Sequence, residues 1–217
     1  MSESAAELKI NEIFYSLQGE TSLTGLPTLF VRLSGCPLRC HYCDTEYAFY
    51  GGEKMSVDSI LARLQSFQCR HVTVTGGEPL AQKACLSLLQ TLCDAGYIVS
   101  LETSGAMDVA AVDARVIKII DIKTPGSGEE SKNRLQNLHC LQPHDQLKWV
   151  ICDRQDYEWS KRFIADHNLD TRAELLFSPS HEQLSARELA DWILQDQLSV
   201  RFQLQLHKQL WGNEPGR

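Results

Sequence analysis

Basic residues and long apolar runs are both scarce in this sequence of 217 residues. The 21 Lys and Arg are outnumbered by 28 Asp and Glu, a formal net charge of −7, so the chain is a poor candidate for binding the phosphate backbone of a nucleic acid. No apolar run approaches the roughly 18 residues of a membrane helix. The first ten residues lack the basic and apolar regions of a secretory signal. We therefore expect a soluble, cytoplasmic protein with no nucleic-acid or membrane partner.

Internal repeats, low-complexity segments and linkers are also lacking, so we expect residues 1–217 to form one domain. Apolar residues make up 43% and charged residues 23% of the chain, which is an ordinary globular composition. Short β-branched apolar runs alternate with helical patterns, as is typical of βα units with a parallel sheet. The predicted strands cover residues 28–33, 71–75, 97–102, 116–122, 147–152, 174–177 and 200–206, and the predicted helices cover residues 57–67, 80–94, 157–167 and 186–196.

The number of predicted strands narrows the fold class. A closed eight-stranded barrel typically needs about 250 residues, and six or seven strands are counted here. The sequence therefore predicts an α/β fold, a partial (β/α) barrel of about six to seven mostly parallel strands. Ser56 and Ser185 stand where N-caps are expected for the first and last predicted helices.

Most of the polar and glycine-rich segments directly follow a predicted strand. GCPLRCHYCDT follows the first strand, GGEP the second, TSG the third, KTPGSG the fourth, SPS the sixth and HK the seventh. In parallel α/β folds, ligands bind at the carboxyl ends of the strands. We therefore expect these segments to converge on one active site.

Eight cysteines are present, although disulfides rarely persist in a reducing cytosol. Cys36, Cys40 and Cys43 form a C-x3-C-x2-C pattern, and the other five are scattered and receive no role. Three thiolates on a tight loop suit an iron–sulfur cluster, although four are usual, and they leave one metal position open for chemistry. The alternative is a structural zinc site completed by His41 or Cys69, although such sites normally use paired cysteines.

The segment CPLRCHYC resembles the signature of the radical S-adenosylmethionine (SAM) superfamily, including the aromatic Tyr42 before the last cysteine. GGEP at residues 76–79 resembles the second motif of that superfamily. This resemblance implies a partial barrel of the radical SAM type. It also implies a [4Fe–4S] cluster on the three clustered cysteines, with the amino and carboxylate groups of SAM chelating its free iron.

A narrower resemblance extends over nearly the whole chain. EIFYSLQGE, FVRLSGC, CDT, TGGEP, ETSG, DIKTPGSG and QLHK occur in that order and are similar to the motifs of the 7-carboxy-7-deazaguanine synthase family. The resemblance implies a carbon–nitrogen lyase of queuosine and 7-deazapurine biosynthesis. Such an enzyme contracts the ring of 6-carboxy-5,6,7,8-tetrahydropterin by radical chemistry and releases ammonia. It further implies Mg²⁺ as a cofactor, an electron donor such as a flavodoxin or ferredoxin, and a homodimer.

The same resemblance assigns roles to individual residues. Substrate binding is implied for Leu17, Gln18, Gly19, Glu20, Arg32, Thr75 and His207. SAM binding is implied for Tyr42, Cys43, Asp44, Gly77, Glu102, Ser104, Asp121, Ile122, Lys123 and Ser178. Metal binding is implied for Cys36, Cys40 and Cys43 with the [4Fe–4S] cluster and for Thr45 with Mg²⁺. No side chain is implied as catalytic beyond the cluster and SAM.

Three positions raise questions of their own. Arg32 lies in an otherwise apolar strand, where a guanidinium needs an anion. The substrate carboxylate suits its bidentate geometry, and a structural salt bridge is the alternative. His207 is expected at the end of the last strand, where a substrate contact is preferred over a structural role. Thr21 follows Glu20 where the family usually has glycine, which predicts a stiffer loop.

Two other classes of function remain open. A radical enzyme that generates a glycyl radical on a partner protein would share the cysteine motif, but the order of LQGE, CDT and QLHK favours the small-molecule enzyme. A zinc-stapled binding module is the non-enzymatic alternative. It would contain zinc without iron or sulfide, so metal analysis separates it from the other two.

Overall fold

The computed structural model describes residues 7–181, 183–212, 214 and 216. Over these residues the chain forms one nine-stranded β-sheet. The strands are β1 Glu7–Leu17, β2 Pro27–Leu33, β3 Glu53–Ser56, β4 His71–Gly76, β5 Ile98–Thr103, β6 Ile117–Asp121, β7 Gln146–Ile151, β8 Glu174–Pro179 and β9 Arg201–Phe202. The α-helices are α1 Val57–Leu64, α2 Cys85–Asp94, α3 Arg154–His167, α4 Ala186–Gln195 and α5 Leu206–Trp211. Within this described part of the chain, none of the helices has the length and apolar character that crossing a membrane requires.

The sheet is mostly parallel. Strands β2 and β4 to β9 run parallel to one another, whereas β1 is antiparallel to β2 and β3 is antiparallel to β1. The order β3-β1-β2-β4-β5-β6-β7-β8-β9 leaves β3 and β9 at opposite edges, so the sheet is not closed. The predicted α/β partial barrel is therefore confirmed. One continuous sheet agrees with a single domain over residues 1–217, which stays a prediction.

The sequence pattern does not predict β1 and β3. The pairing of β1 with β2 shifts register between Ile10 and Glu12, so the two-residue alternation of apolar side chains is interrupted there. Strand β3 has four residues, two of them exposed, at the edge of the sheet. Such a short edge strand carries no apolar pattern from which it could be recognised.

The strand predicted over residues 200–206 is wrong in its extent. Only Arg201–Phe202 pair with β8, and α5 begins at Leu206. The backbone N–H of Leu206 donates to the carbonyl of Gly19 at 2.8 Å. This bond ties the segment to the loop between β1 and β2 instead of to the sheet. His207 therefore lies in the first turn of α5 and not at the end of a strand.

The predicted helix starts agree with the structure for α1 and α4 and differ for α2 and for α3, which begins at Arg154 instead of residue 157. Ser56 caps α1 as expected, because its hydroxyl accepts a backbone N–H of the first turn at 3.1 Å. Ser185 occupies the N-cap position of α4 as expected, but its side chain makes no capping bond. The helix predicted over residues 80–94 is divided, since Pro79–Ala81 form a separate 3₁₀ turn and α2 begins at Cys85.

Alternation along the parallel strands separates the hydrophobic core from the functional face. In β2, Leu29, Val31 and Leu33 are fully buried in the core cluster. Phe30 and Arg32 point to the other face and line a cavity. Because side chains alternate along a strand, each strand contributes to both faces of the sheet.

Candidate active site

The loop segments that follow the parallel strands surround one cavity of about 880 Å³. The cysteine loop, GGEP, ETSG, KTPGSG, SPS and HK each contribute at least one residue to its wall. Nineteen of the residues assigned by resemblance line this cavity, namely Leu17, Gln18, Gly19, Glu20, Arg32, Cys36, Cys40, Tyr42, Cys43, Asp44, Thr45, Thr75, Gly77, Glu102, Ser104, Asp121, Lys123, Ser178 and His207. The remaining residue, Ile122, is 5% exposed and belongs to the hydrophobic core.

The cysteine loop after β2 is held by the loop after β6. The backbone N–H of His41 donates to the carbonyl of Ser127 at 3.0 Å. Gly128 lies so near the His41 ring that a β-carbon there would come within 2.7 Å of Cε1. On the other side, a β-carbon on Gly77 would come within 2.7 Å of the Cys36 Cβ. The glycines therefore allow the loops to approach closely, as a site built from backbone requires.

Cys36, Cys40 and Cys43 are free thiols of intermediate exposure on this loop. Burial raises the pKa of all three thiols, that of Cys40 to about 11, while nearby Lys123 acts in the opposite direction. Thiolates are the ligands that iron–sulfur clusters require, so binding must displace these protons. No three His, Cys, Asp or Glu side chains of the described residues lie close enough to hold a single metal ion. A cubane cluster does not need that arrangement, since each cysteine binds its own iron.

The buried carboxylate of Glu78 joins the ends of β4 and β5. It accepts the backbone N–H of Ser104 at 2.7 Å and the hydroxyls of Ser104 and Thr103. It also accepts the backbone N–H of Leu80 at 2.9 Å. These bonds fix the GGEP and ETSG loops against each other. They also occupy the Ser104 hydroxyl, which the resemblance assigns to SAM.

Glu102 groups with the residues assigned to the substrate. One of its carboxylate oxygens accepts from Gln18 Nε2 at 3.2 Å and the other from the Thr75 hydroxyl at 3.1 Å. Burial, and then the nearby carboxylate of Glu20, raise the pKa of Glu102. The resemblance assigns Glu102 to SAM, whereas its contacts connect it to two residues assigned to the substrate.

Arg32 makes the salt bridge that the sequence left as an alternative. Its Nε donates to Glu12 Oε1 at 2.7 Å, and the Tyr47 hydroxyl donates to the same oxygen at 2.9 Å. The guanidinium carbon stands 5.7 Å from the ring centre of Phe14 and 5.8 Å from that of Tyr47. Within the described residues, the two terminal guanidinium nitrogens have no protein acceptor. They remain available to a bidentate anion while Nε is held by Glu12.

Asp44 connects the cysteine loop to α5. Lys208 Nζ lies 2.7 Å from Asp44 Oδ2, and Gln205 Nε2 donates to the same oxygen at 3.2 Å. The Thr45 hydroxyl donates to Asp44 Oδ1 at 2.8 Å. Although burial opposes it, the charge of Lys208 holds the pKa of Asp44 well below its usual value. The hydroxyl assigned to Mg²⁺ is therefore adjacent to an ionised carboxylate.

Asp121 and Lys123 form an ion pair where β6 ends. Lys123 Nζ lies 3.1 Å from Asp121 Oδ2 and 5.9 Å from the ring centre of Tyr42. Burial opposes ionisation of Asp121, but Lys123 and Lys148 lower its pKa. Both groups are therefore charged, and they place one negative and one positive side chain in the wall next to the cysteine loop.

His207 reaches the cavity from α5. It lies against Gly19, because a β-carbon at Gly19 would collide with its ring. Burial lowers the pKa of His207, and Lys208 and Lys148 act in the same direction while Glu20 and Asp44 oppose them. The imidazole is therefore neutral near pH 7 and can both donate and accept hydrogen bonds.

Sequence reasoning gave no role to five of the charged or polar residues that contact the assigned ones. They are Glu12, Tyr47, Lys148, Gln205 and Lys208. Lys148 had a usable signal, because it is a lysine inside an apolar strand, as Arg32 is an arginine inside one. Gln205 and Lys208 lie in the QLHK motif, but no role was assigned to their side chains because their partners, Glu20 and Asp44, are far away in the sequence.

Comparison with known proteins gives relatives over nearly the whole chain. A family model described as the Radical SAM superfamily matches residues 30–123. A 7-carboxy-7-deazaguanine synthase from Koribacter versatilis is 45% identical over 95% of this chain and 98% of its own length. The protein of the same name from Chlorobaculum tepidum is 47% identical over 95% of this chain and 96% of its own.

Solved structures also resemble this chain. The crystal structure of QueE from Escherichia coli has a TM-score of 0.78 and 25% identity, and the match covers 93% of this chain and 95% of that one. Streptococcus suis SuiB bound to the precursor peptide SuiA has a TM-score of 0.56 at 13% identity, covering 78% of this chain and 46% of that one. The second likeness shows a shared fold alone.

Proposed function

Because the chain belongs to the 7-carboxy-7-deazaguanine synthase family of radical SAM enzymes, we propose that it converts 6-carboxy-5,6,7,8-tetrahydropterin to 7-carboxy-7-deazaguanine. The reaction contracts the pyrazine ring to a pyrrole and releases ammonia, as a carbon–nitrogen lyase does. A [4Fe–4S] cluster and SAM are its cofactors. The name of the relatives supplies the product, and the site supplies the groups that would bind the substrate.

The observation that carries this proposal is the convergence of the ordered motifs on one cavity. Segments from β1 to α5 line a volume of about 880 Å³, within the range of roughly 300–1,000 Å³ typical of ligand pockets. The wall combines three thiols, a guanidinium and several partly buried carboxylates with aromatic side chains. Such a wall suits a charged cofactor beside a polar heterocycle.

The residues present fit the two cofactors. Cys36, Cys40 and Cys43 would hold the cluster, and Gly77 leaves room beside Cys36, as a side chain there would not. When bound, the cluster and SAM supply a one-electron cleavage of SAM that leads to abstraction of a hydrogen atom from the substrate. The protein contributes the cavity, which keeps the reacting groups together.

Arg32 would bind the substrate carboxylate through its two terminal nitrogens. Glu12 Oε1 accepts from Nε at 2.7 Å and the ring of Phe14 lies against the guanidinium. The two terminal nitrogens therefore point in a fixed direction. Bidentate arginine–carboxylate pairs are among the stronger hydrogen-bonded contacts in proteins. A fixed carboxylate orients the ring system to which it is attached.

Gln18, Thr75 and Glu102 would bind the ring itself. They form one hydrogen-bonded group, with Gln18 Nε2 also donating to the Thr73 hydroxyl at 3.1 Å. Glu102 is partly buried and lines the cavity, so its remaining hydrogen-bonding capacity is available to a bound ligand. A heterocycle with several N–H and C=O groups satisfies such a wall.

The finer features of the proposal rest on fewer observations. Mg²⁺ at Thr45 is supported by the ionised Asp44 beside it, since magnesium prefers oxygen ligands. An electron donor such as a flavodoxin or ferredoxin is supported by the need to reduce the cluster, and a homodimer by family resemblance. A cytoplasmic location is supported by eight cysteines that are all free thiols.

An anaerobic assay tests the function directly. Reconstituted protein is incubated with SAM, Mg²⁺, a strong reductant and 6-carboxytetrahydropterin, and products are identified by mass spectrometry. We expect 7-carboxy-7-deazaguanine and ammonia. Formation of 5′-deoxyadenosine without that product would retain radical chemistry and reject the substrate. Neither product from protein with an intact cluster would favour an enzyme that activates a partner protein.

A further inference from the structure

Lys148 is a buried cation in the wall of the cavity that no motif includes. It lies on β7 between Leu147 and Trp149, which are fully buried in the hydrophobic core. The alternation of the strand therefore turns Lys148 to the opposite face, where it lines the cavity together with Val150. Its side chain is only 11% exposed. Burying an ammonium is costly unless it is paired, so its partners indicate what it does.

The ammonium of Lys148 stands between two carboxylates from different parts of the cavity. Nζ pairs with Glu20 Oε2, in the loop between β1 and β2. It also lies 3.8 Å from Asp121 Oδ1, at the end of β6. Asp121 Oδ2 in turn pairs with Lys123. The charges therefore alternate from the loop assigned to the substrate to the wall next to the cysteine loop.

The carboxylate of Glu20 is held at both oxygens. Lys148 contacts Oε2, and Gln205 Nε2 donates to Oε1 at 2.7 Å. The backbone N–H of Glu20 donates to Gln18 Oε1 at 3.1 Å. A carboxylate whose two oxygens are bound by donors on separate elements cannot rotate freely. Loss of Lys148 would free one oxygen and leave a negative charge without its cation.

We propose that Lys148 is a positioning residue for the substrate, acting through Glu20. It holds the carboxylate of Glu20 in place in the wall of the cavity, and its contact with Asp121 connects the substrate side to the cofactor side. The inference rests on the proposed function, because Glu20 matters for binding only if the cavity takes a pterin-like substrate. A second consequence concerns specificity, since a carboxylate acceptor held in the wall of the cavity favours a ring with N–H donors.

Substrate affinity of the unreduced, cluster-loaded protein tests this inference without turnover. 6-Carboxytetrahydropterin is titrated by calorimetry in the presence of SAM into wild type, Lys148→Met, Lys148→Arg and Lys161→Met. We expect Lys148→Met to weaken binding about tenfold or more, as loss of a charge-assisted contact does, and Lys148→Arg to recover part of the affinity. Lys161→Met is the matched control, because it removes a lysine that pairs with Asp196 outside the cavity, and it should bind as wild type does.

A double-mutant cycle with Glu20→Gln separates positioning from general stability. If Lys148 acts through Glu20, Lys148→Met should change the affinity of a Glu20→Gln protein very little. An equal loss in both backgrounds would overturn the inference and make Lys148 structural. Lys148→Gln replaces Lys148→Met in the cycle if thermal unfolding shows that the latter does not fold. If wild type itself neither binds nor converts the pterin, the proposed function fails, and this inference fails with it.

Discussion

Gly19 lies directly against the imidazole of His207, so close that a β-carbon on Gly19 would collide with the ring. The two residues belong to the loop after β1 and to the first turn of α5, and Leu206 N donates to the Gly19 carbonyl at 2.8 Å. We expect Gly19→Ala to displace the ring, to weaken substrate binding and to lower the free energy of unfolding by about 1–3 kcal/mol, as overpacking does. Calorimetric titration and urea unfolding measure the two effects.

A second variant shows whether the collision is the cause. His207→Ala removes the ring, so adding Gly19→Ala to it should lower the free energy of unfolding by less than the same change does in wild type. An equal loss in both backgrounds would contradict the contact between Gly19 and His207 as the source of the effect.

Cys40→Ala should abolish the cluster and all turnover. One iron of the cluster would lose its protein thiolate, and the loop has no fourth cysteine to replace it. Iron and sulfide content and visible absorbance of the reconstituted protein measure the loss. Cys93→Ala, which removes a thiol on α2, serves as the control and should keep both cluster and activity. Intact absorbance and activity in Cys40→Ala would exclude the proposed ligand set.

Arg32→Met should weaken binding of the carboxylated pterin by about 10- to 100-fold, because it removes a charge-assisted pair. A tetrahydropterin that lacks the 6-carboxylate should bind wild type and Arg32→Met with similar affinity. Calorimetry with both compounds makes the comparison. An equal loss of affinity for the two compounds would show that Arg32 supports the site through Glu12 and does not contact the carboxylate.

The parts of the fold that the sequence predicts are those with strong local signals. Strand β2 reads as the largely apolar run TLFVRL, and β4 reads as HVTVT, in which the core residues Val72 and Val74 alternate with threonines. Strand β1 was missed because its register shift breaks that pattern. The strand predicted over residues 200–206 is too long, because the backbone N–H of Leu206 donates to the carbonyl of Gly19, almost two hundred positions earlier in the chain.

The candidate site, like the fold, is predicted only in part from the sequence. The motifs predict which residues line the cavity, and nineteen of those with an assigned role do so. The motifs do not predict which side chains pair, because Glu20 and Lys148 are 128 positions apart and Glu20 and Gln205, in two separate motifs, are 185 apart. Pairing at such separations is decided by how strands are ordered in the sheet, which no local pattern contains. Lys148 could have been suspected only from the cost of placing a lysine in an apolar strand.

His207 should make stability depend on pH below neutrality. Burial lowers its pKa from the ordinary 6.5, so the unfolded chain takes up this proton more readily than the folded protein. The stability associated with the neutral ring is fully present above about pH 6.5 and is lost as the pH falls through the lower pKa of the folded state. Urea unfolding of metal-free, reduced wild type and His207→Gln between about pH 5 and pH 8 measures this. Wild type should lose stability relative to the variant toward acid, and a difference independent of pH would contradict the burial of this ring.

Thr21 adopts a φ of 73°, a left-handed conformation that β-branched residues rarely adopt. It is 2% exposed, and its hydroxyl accepts the backbone N–H of Leu23 at 3.2 Å. Thr21→Val keeps the shape and the strain but leaves that N–H unpaired, so it should lower the free energy of unfolding by about 1–3 kcal/mol.

Thr21→Gly should act differently from Thr21→Val. Glycine relieves strain of about 1–3 kcal/mol, but it loses the bond to Leu23 and gains about 0.5–1 kcal/mol of conformational entropy in the unfolded chain. These effects oppose each other, so the variant should stay within about 1 kcal/mol of wild type in urea unfolding. A loss as large as that of Thr21→Val would mean that the backbone of Thr21 is not strained and that the hydroxyl alone holds the loop in place.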